Sequence, residues 1–217
     1  MSGLRLIVFD LDGTLIDSRR DLADAANALI AEHGGAPLTV DAIAGMVGEG
    51  AALLVRRALG GAGVRLDVAR DLPRFLELYD QRLLIHTTLY DGTREMLEAL
   101  EQRSALAVLT NKPQRHTDAI LRGLGIAPAF RWIIGGDTAH GRKPDPAGLR
   151  YEMTAAAATP PDTLMVGDSA IDVKTARAAG VRICLARYGF GFRTTDGMLT
   201  GDELIADSPS AIVRLAA

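Results

Sequence analysis

The stretch Val8-Phe9-Asp10-Leu11-Asp12-Gly13-Thr14-Leu15 decides how the rest of this chain is read. It joins an apolar run, Leu6-Ile7-Val8-Phe9, to two carboxylates one residue apart, then a glycine and a threonine. The run has the length of a buried strand, so Asp10 falls at its C-terminal end, the edge of an α/β sheet where ligands bind. Side chains at i and i+2 of an extended segment point the same way, which brings Asp10 and Asp12 to one site. Gly13 lets the chain turn sharply. A carboxylate pair is costly at the end of a hydrophobic strand unless something cationic sits against it. Two carboxylates, a turn and a hydroxyl point to a site for a metal ion and a phosphate.

The bulk properties set the background. With 217 residues, the chain is long enough for one core domain and a smaller insert. Hydrophobic residues make up 48% and charged residues 24%, as in an ordinary globular protein. A net charge of -3 leaves no electrostatic footprint for nucleic acid or an anionic membrane, so neither is expected as a partner. The lone cysteine, Cys184, excludes an intrachain disulfide framework, and its apolar surroundings predict a buried strand thiol. The apolar runs near the N-terminus are too short for a signal or transmembrane helix, which predicts a cytoplasmic location.

From residue 88 onward, helix-like segments alternate with short apolar runs. Helices are expected over 93–103, 114–124, 146–157 and 170–179, and strands over 105–109, 132–134, 163–166 and 181–185. That rhythm implies right-handed crossovers and a parallel sheet covered on both faces, a Rossmann-like α/β core. Residues 17–85 interrupt it. Ser18 and Asp21 carry an N-cap signal, Leu22, Ala25, Ala26, Leu29 and Ile30 recur at helical spacing, and further helices are expected over 51–59 and 68–84, with no strand. The expected organisation is an α/β core over 1–16 and 86–217 with a helical subdomain over 17–85. Asp207-Ser208-Pro209 is expected to cap a final short helix.

Three more polar signals follow core strands at the same sheet edge as Asp10: Thr110-Asn111, Lys143 in Gly141-Arg142-Lys143-Pro144, and Gly167-Asp168-Ser169 with Asp172 four residues beyond Asp168. A helix beginning near Ser169 brings Asp168 and Asp172 together across its first turn. Asp10, Asp12, Asp168 and Asp172 would repel one another without a counter-charge. A hard divalent cation with oxygen ligands, Mg²⁺ foremost, relieves that repulsion. Lys143 adds positive charge and Thr110 a hydroxyl donor, both suited to phosphoryl oxygens. The four histidines show no zinc-ligand spacing.

This constellation resembles the haloacid dehalogenase superfamily. Asp10-Leu11-Asp12-Gly13-Thr14 is similar to its first motif, Thr110 to the second, Lys143 to the third, and Gly167-Asp168-Ser169 through Asp172 to the fourth. Within the superfamily the chain is most similar to the phosphoglycolate phosphatases. The supporting segments include Gly48-Glu49-Gly50, Leu109-Thr110-Asn111-Lys112-Pro113, Ile134-Gly135-Gly136-Asp137-Thr138 and Tyr188-Gly189-Phe190-Gly191. The resemblance implies a Mg²⁺-dependent phosphatase with a small helical cap, acting on a small phosphorylated metabolite, 2-phosphoglycolate first. It implies that Asp10 is the nucleophile forming an aspartyl-phosphate. Asp12 would be the proton donor and acceptor, its carboxyl kept neutral by neighbouring carboxylates. Metal would be held by Asp10, the carbonyl of Asp12, Asp168 and Asp172, and the phosphoryl oxygens by Thr110, Asn111 and Lys143. Asp12 argues against dehalogenation, whose leaving group needs no proton.

Glu49 and Gly50 lie in what resembles the substrate-specificity loop, and Arg56 or Arg57 is placed to meet a substrate carboxylate. Alternatives are a phosphatase for another small or sugar phosphate, a sugar-phosphate mutase, and a catalytically silent binding module. The sequence leaves monomer and dimer equally open.

Overall fold

The computed structural model describes residues 3–216. Six strands form a parallel sheet: β1 (Leu6–Phe9), β4 (Ala105–Leu109), β5 (Trp132–Ile134), β6 (Thr163–Gly167), β7 (Arg182–Ala186) and β8 (Leu204–Ala206), in the order β5-β4-β1-β6-β7-β8. Two further strands, β2 (Ile16–Asp17) and β3 (Thr88–Leu89), pair antiparallel beside it. Within the main sheet, β1 pairs with β4 on one side and β6 on the other, Phe9 lying opposite Val108 and Val166. The strand order therefore reverses beside β1, and the loops after β1, β4 and β6 emerge together. Such a switch point is the crevice where open α/β sheets bind ligands.

Period-2 alternation divides each strand between two cores. Ile7, Phe9, Val108, Val166 and Cys184 face α5 (Thr93–Glu101), α6 (Gln114–Gly123) and α9 (Pro209–Leu215). Leu6, Val8, Ala107, Met165 and Ile183 face α7 (Ala147–Ala155) and α8 (Ala170–Ala179). Burial on both faces explains why the strands read as continuous apolar runs. Cys184 is buried in β7, and burial pushes its thiol up to about 12. No helix among the described residues is long and apolar enough to cross a membrane.

Between β2 and β3 the chain forms α1 (Arg19–Glu32), α2 (Val40–Ala44), α3 (Ala51–Gly61) and α4 (Val68–Asp80). Their apolar stripes, including Leu22, Leu29, Ile30, Leu54, Val55, Phe75 and Tyr79, form a third core of their own.

Several details differ from the sequence expectation. α4 stops at Asp80 rather than near 84, leaving Leu84 and Ile85 exposed in the returning connection. The β2–β3 ribbon, α2 and β8 are elements of two, five and three residues, too short to show a period. Ser18 precedes α1 but makes no cap hydrogen bond. Asp21 instead closes the junction: its carboxylate accepts from the backbone N–H groups of His86 and Thr87 and from Thr87 Oγ1 at 2.7–3.0 Å. As expected, Ser208 caps α9, accepting from Ala211 N, with Pro209 in the first turn.

Candidate active site

The loop after β1 carries Asp10, 4% exposed, into the crevice. α8 supplies Asp172 at its third position, where it completes a capping box: Asp172 Oδ2 accepts from the backbone N–H groups of Asp168 and Ser169 and from Ser169 Oγ. The same cap thus forms the helix and fixes Asp168 beside Asp172. Oxygen atoms of Asp10, Asp168 and Asp172 come within 4.8 Å of one another, all three residues buried.

Glycines make this crowding possible. A Cβ on Gly13, whose φ is +87°, would lie 1.9 Å from Asp168 Oδ2, and one on Gly189 would lie 2.5 Å from the same atom. The N–H of Gly191 donates to it at 2.7 Å. Only chain without side chains can wrap that carboxylate so closely.

Lys143 Nζ supplies the counter-charge, 2.8 Å from Asp10 Oδ1 and 2.7 Å from Asp172 Oδ1. Burial pushes Asp10 up to about 6 despite the opposing pull of Lys143. Asp168 is raised well above the usual carboxylate range by burial, then by the charges of Asp172 and Asp10. Burial works against the charged form of Lys143, but Asp10 and Asp172 outweigh it and raise its pKa. Three buried carboxylates sharing one ammonium remain short of positive charge. An all-oxygen donor set of this kind suits a hard divalent cation, and the residues fit one.

Asp12 does not join that group. Its carboxylate turns toward Lys112 Nζ, 2.9 Å from both oxygens, and accepts from Ser18 Oγ at 2.5 Å. The neighbours expected to be carboxylates are thus an ammonium and a hydroxyl, and the Asp12 side chain is not in the metal-ligand cluster. Thr110 lies where expected, buried beside Asp10 and Asp12 in the cavity wall, with its N–H held by Ile134 O at 3.0 Å. Asn111 lies in the same wall, and its Nδ2 donates to Gly48 O and Lys143 O, both at 2.9 Å, so its side-chain amide ties the helical unit's loop to the core.

The helical unit roofs a cavity with about 40 Å³ of space for groups the size of a water, lined by Asp10, Asp12, Thr110 and Lys112 below and Leu54 and Tyr79 above. Gly50 lines it, in left-handed backbone at φ +91°. Glu49 and Arg56 do not. The Glu49 carboxylate pairs with Arg57 Nη2 at 2.5 Å, which neutralises the charge that would oppose an anionic substrate. Arg56 is exposed on α3 outside the cavity, because its position on the helix points away from the core that Leu54, Val55, Ala58 and Leu59 define.

Ser18 and Tyr79 are site residues that carried no distinct signal in the sequence, and Lys112 stood out only as a member of the Leu109-Thr110-Asn111-Lys112-Pro113 segment, with no role given to it. Ser18 reads as a cap, and Tyr79 as one more apolar helix position.

The fold and this site define an enzyme of the Rossmann-like α/β class with an aspartate at the end of its first strand and an acidic cluster beside it. The chain matches the haloacid dehalogenase-like hydrolase family over residues 7–186 and belongs to it. It is 41% identical over 215 residues to a phosphoglycolate phosphatase of Pseudomonas putida, covering 96% of this chain and 76% of that one. It is 44% identical over 194 residues to a phosphoglycolate phosphatase of Rhodospirillum rubrum, covering 86% and 80%. A crystal structure of a predicted phosphoglycolate phosphatase from Haemophilus somnus superposes with a TM-score of 0.92 over the whole of both chains at 31% identity.

Proposed function

We propose that this enzyme hydrolyses 2-phosphoglycolate to glycolate and phosphate, with residues 17–85 acting as a cap over a core of 1–16 and 86–217. The observation that carries the reading is the separation of the two aspartates. Asp10 sits among carboxylates with Lys143, and Asp12 faces away toward the cavity. One is placed to attack and the other to handle a proton.

An Asp10 oxygen attacks phosphorus, and the bond from phosphorus to the ester oxygen breaks as Asp12 gives a proton to that oxygen. Glycolate leaves. A water then attacks the aspartyl-phosphate while Asp12 takes its proton, and the Asp10 carboxylate is restored with inorganic phosphate released. Lys143 and the Thr110 hydroxyl hold the three non-bridging oxygens that travel with phosphorus. Asp10, Asp168 and the backbone carbonyl of Asp12 would hold Mg²⁺, with Asp172 orienting Asp168. The bound ion supplies positive charge against the phosphoryl group as it meets the Asp10 carboxylate.

The cavity supports a small leaving group. Its free space equals about three or four waters at 10–15 Å³ each, too little for a sugar ring under the apolar wall of Leu22, Val47, Leu54, Phe75 and Leu76. The family relatives named phosphoglycolate phosphatases support the same choice. The test is phosphate release from 2-phosphoglycolate and a panel of sugar phosphates, with Mg²⁺ and with EDTA. The reading expects metal-dependent release, fastest from 2-phosphoglycolate. Isomerised sugar phosphate formed without free phosphate would overturn it in favour of a mutase.

A further inference from the structure

We infer that Lys112 and Tyr79 form the receptor for the substrate's carboxylate, making a core lysine and a cap tyrosine the pair that selects a phosphorylated acid over a neutral phosphate ester. This inference rests on the proposed phosphatase reading and concerns the end of the substrate away from phosphorus.

Among the described residues, Lys112 is the one cation that lines the cavity. Its ammonium has three donors. Two are used by the Asp12 oxygens at 2.9 Å, which leaves one for a ligand. The side chain is 4% exposed and its Nζ lies 4.8 Å from the centre of the Tyr79 ring, within cation–π range. The head group is therefore fixed from two sides before any substrate arrives.

Tyr79 comes from α4 of the helical unit, 2% exposed, and among the described residues its hydroxyl makes no hydrogen bond of ordinary geometry, the Lys112 ammonium being the charge that acts on it most strongly. Its ring is held by Phe75 on one flank, stacked at 6.0 Å, and by His116 of the core, stacked at 5.5 Å. A buried hydroxyl without a partner carries a desolvation cost, which an acceptor entering the cavity would relieve. A spare ammonium donor and a spare phenol donor beside one small cavity match the two oxygens of a carboxylate.

The placement also accounts for the failure of the arginine expectation. Arg56 is exposed and Arg57 is committed to Glu49, so neither brings a free charge to the cavity. Lys112 enters from the core loop that bears Thr110, so phosphate and carboxylate ends would be read by one rigid turn. Tyr79 completes the receptor only when the cap is seated.

The test compares 2-phosphoglycolate with ethyl phosphate, which lacks the carboxylate, in the wild type and in Lys112→Met and Tyr79→Phe. Taking the ratio of kcat/KM for the two substrates cancels any general damage from disturbing Asp12. The expected result is a wild-type preference for 2-phosphoglycolate that falls roughly 10- to 100-fold in Lys112→Met, mainly through KM. A smaller fall, about 3- to 10-fold, is expected in Tyr79→Phe, which keeps the ring and removes only the hydroxyl. A wild type that prefers 2-phosphoglycolate, with the ratio unchanged in both variants, overturns this inference and leaves the proposed function standing. A wild type that hydrolyses both esters without preference overturns the substrate assignment itself. Should Lys112→Met fail to fold, Tyr79→Phe decides the matter alone.

Discussion

Lys143 Nζ lies 2.8 Å from Oδ1 of Asp10, with 1% and 6% of the two side chains exposed. The same ammonium also holds Asp172, so one cation sits among three buried acids. Lys143→Met should lower kcat/KM for phosphate release by roughly 10³-fold or more, since it removes both the anchor for phosphoryl oxygens and the charge beside the nucleophile. Removing one partner of a buried ion pair also costs about 3–5 kcal/mol of stability, so thermal unfolding should show a lower midpoint. Activity within tenfold of the wild type would remove Lys143 from the reaction.

Asp10→Asn replaces the attacking oxygen with an amide of nearly the same shape. Turnover should fall by about 10⁴-fold or more, while circular dichroism still reports a folded protein. Near-normal phosphate release from a folded Asp10→Asn protein would refute the nucleophile assignment.

The junction between the helical unit and the core depends on Asp21. Asp21→Ala leaves the backbone N–H groups of His86 and Thr87 without their acceptor inside the fold, a loss of about 3 kcal/mol. Urea unfolding should show that decrease, with catalysis largely retained in the absence of denaturant. An unchanged urea midpoint would mean that water replaces the carboxylate at no cost.

Glu152 on α7 is fully buried, and neither carboxylate oxygen has a hydrogen-bond partner among the described residues. Burial raises it well above 4.5, against a weaker pull from Lys143. The folded protein therefore keeps a proton that the unfolded chain releases above about pH 4.5. Stability from this residue is whole below that pH and is lost as pH rises through the raised folded value. Glu152→Gln stays neutral throughout, so the difference in unfolding midpoint between variant and wild type should be flat below pH 4.5 and move in the variant's favour toward pH 8. A constant difference from pH 4 to pH 8 would show that Glu152 does not titrate in this way.

The sheet was legible because it is buried on both faces. Runs such as Ala105–Leu109 and Leu164-Met165-Val166 are apolar at every position, bounded by polar turns, and separated by segments of helical spacing. Asp10, Thr110, Lys143, Asp168 and Asp172 could be read as one site because strand ends in a parallel sheet meet at one edge. Asp168 and Asp172 were doubly determined, since the capping box that starts α8 also draws them together.

Side-chain direction was not legible in the same way. Asp12 stands two residues from Asp10 and was expected to share its carboxylate environment, yet the turn at Gly13 leaves it facing Lys112 and Ser18. Arg56 and Arg57 are adjacent on one helix, and only packing against the third core decides that one is exposed and the other meets Glu49. Tyr79 was indistinguishable from any apolar position on α4 until the helical unit was seated over the crevice. The amino-acid sequence by itself determined the sheet, its strand ends and the acids gathered there, because those follow from local periodicity and short-range caps. Tertiary structure alone decided which cation each acid faces and which cap residue reaches the cavity, because those depend on contacts between residues dozens of positions apart.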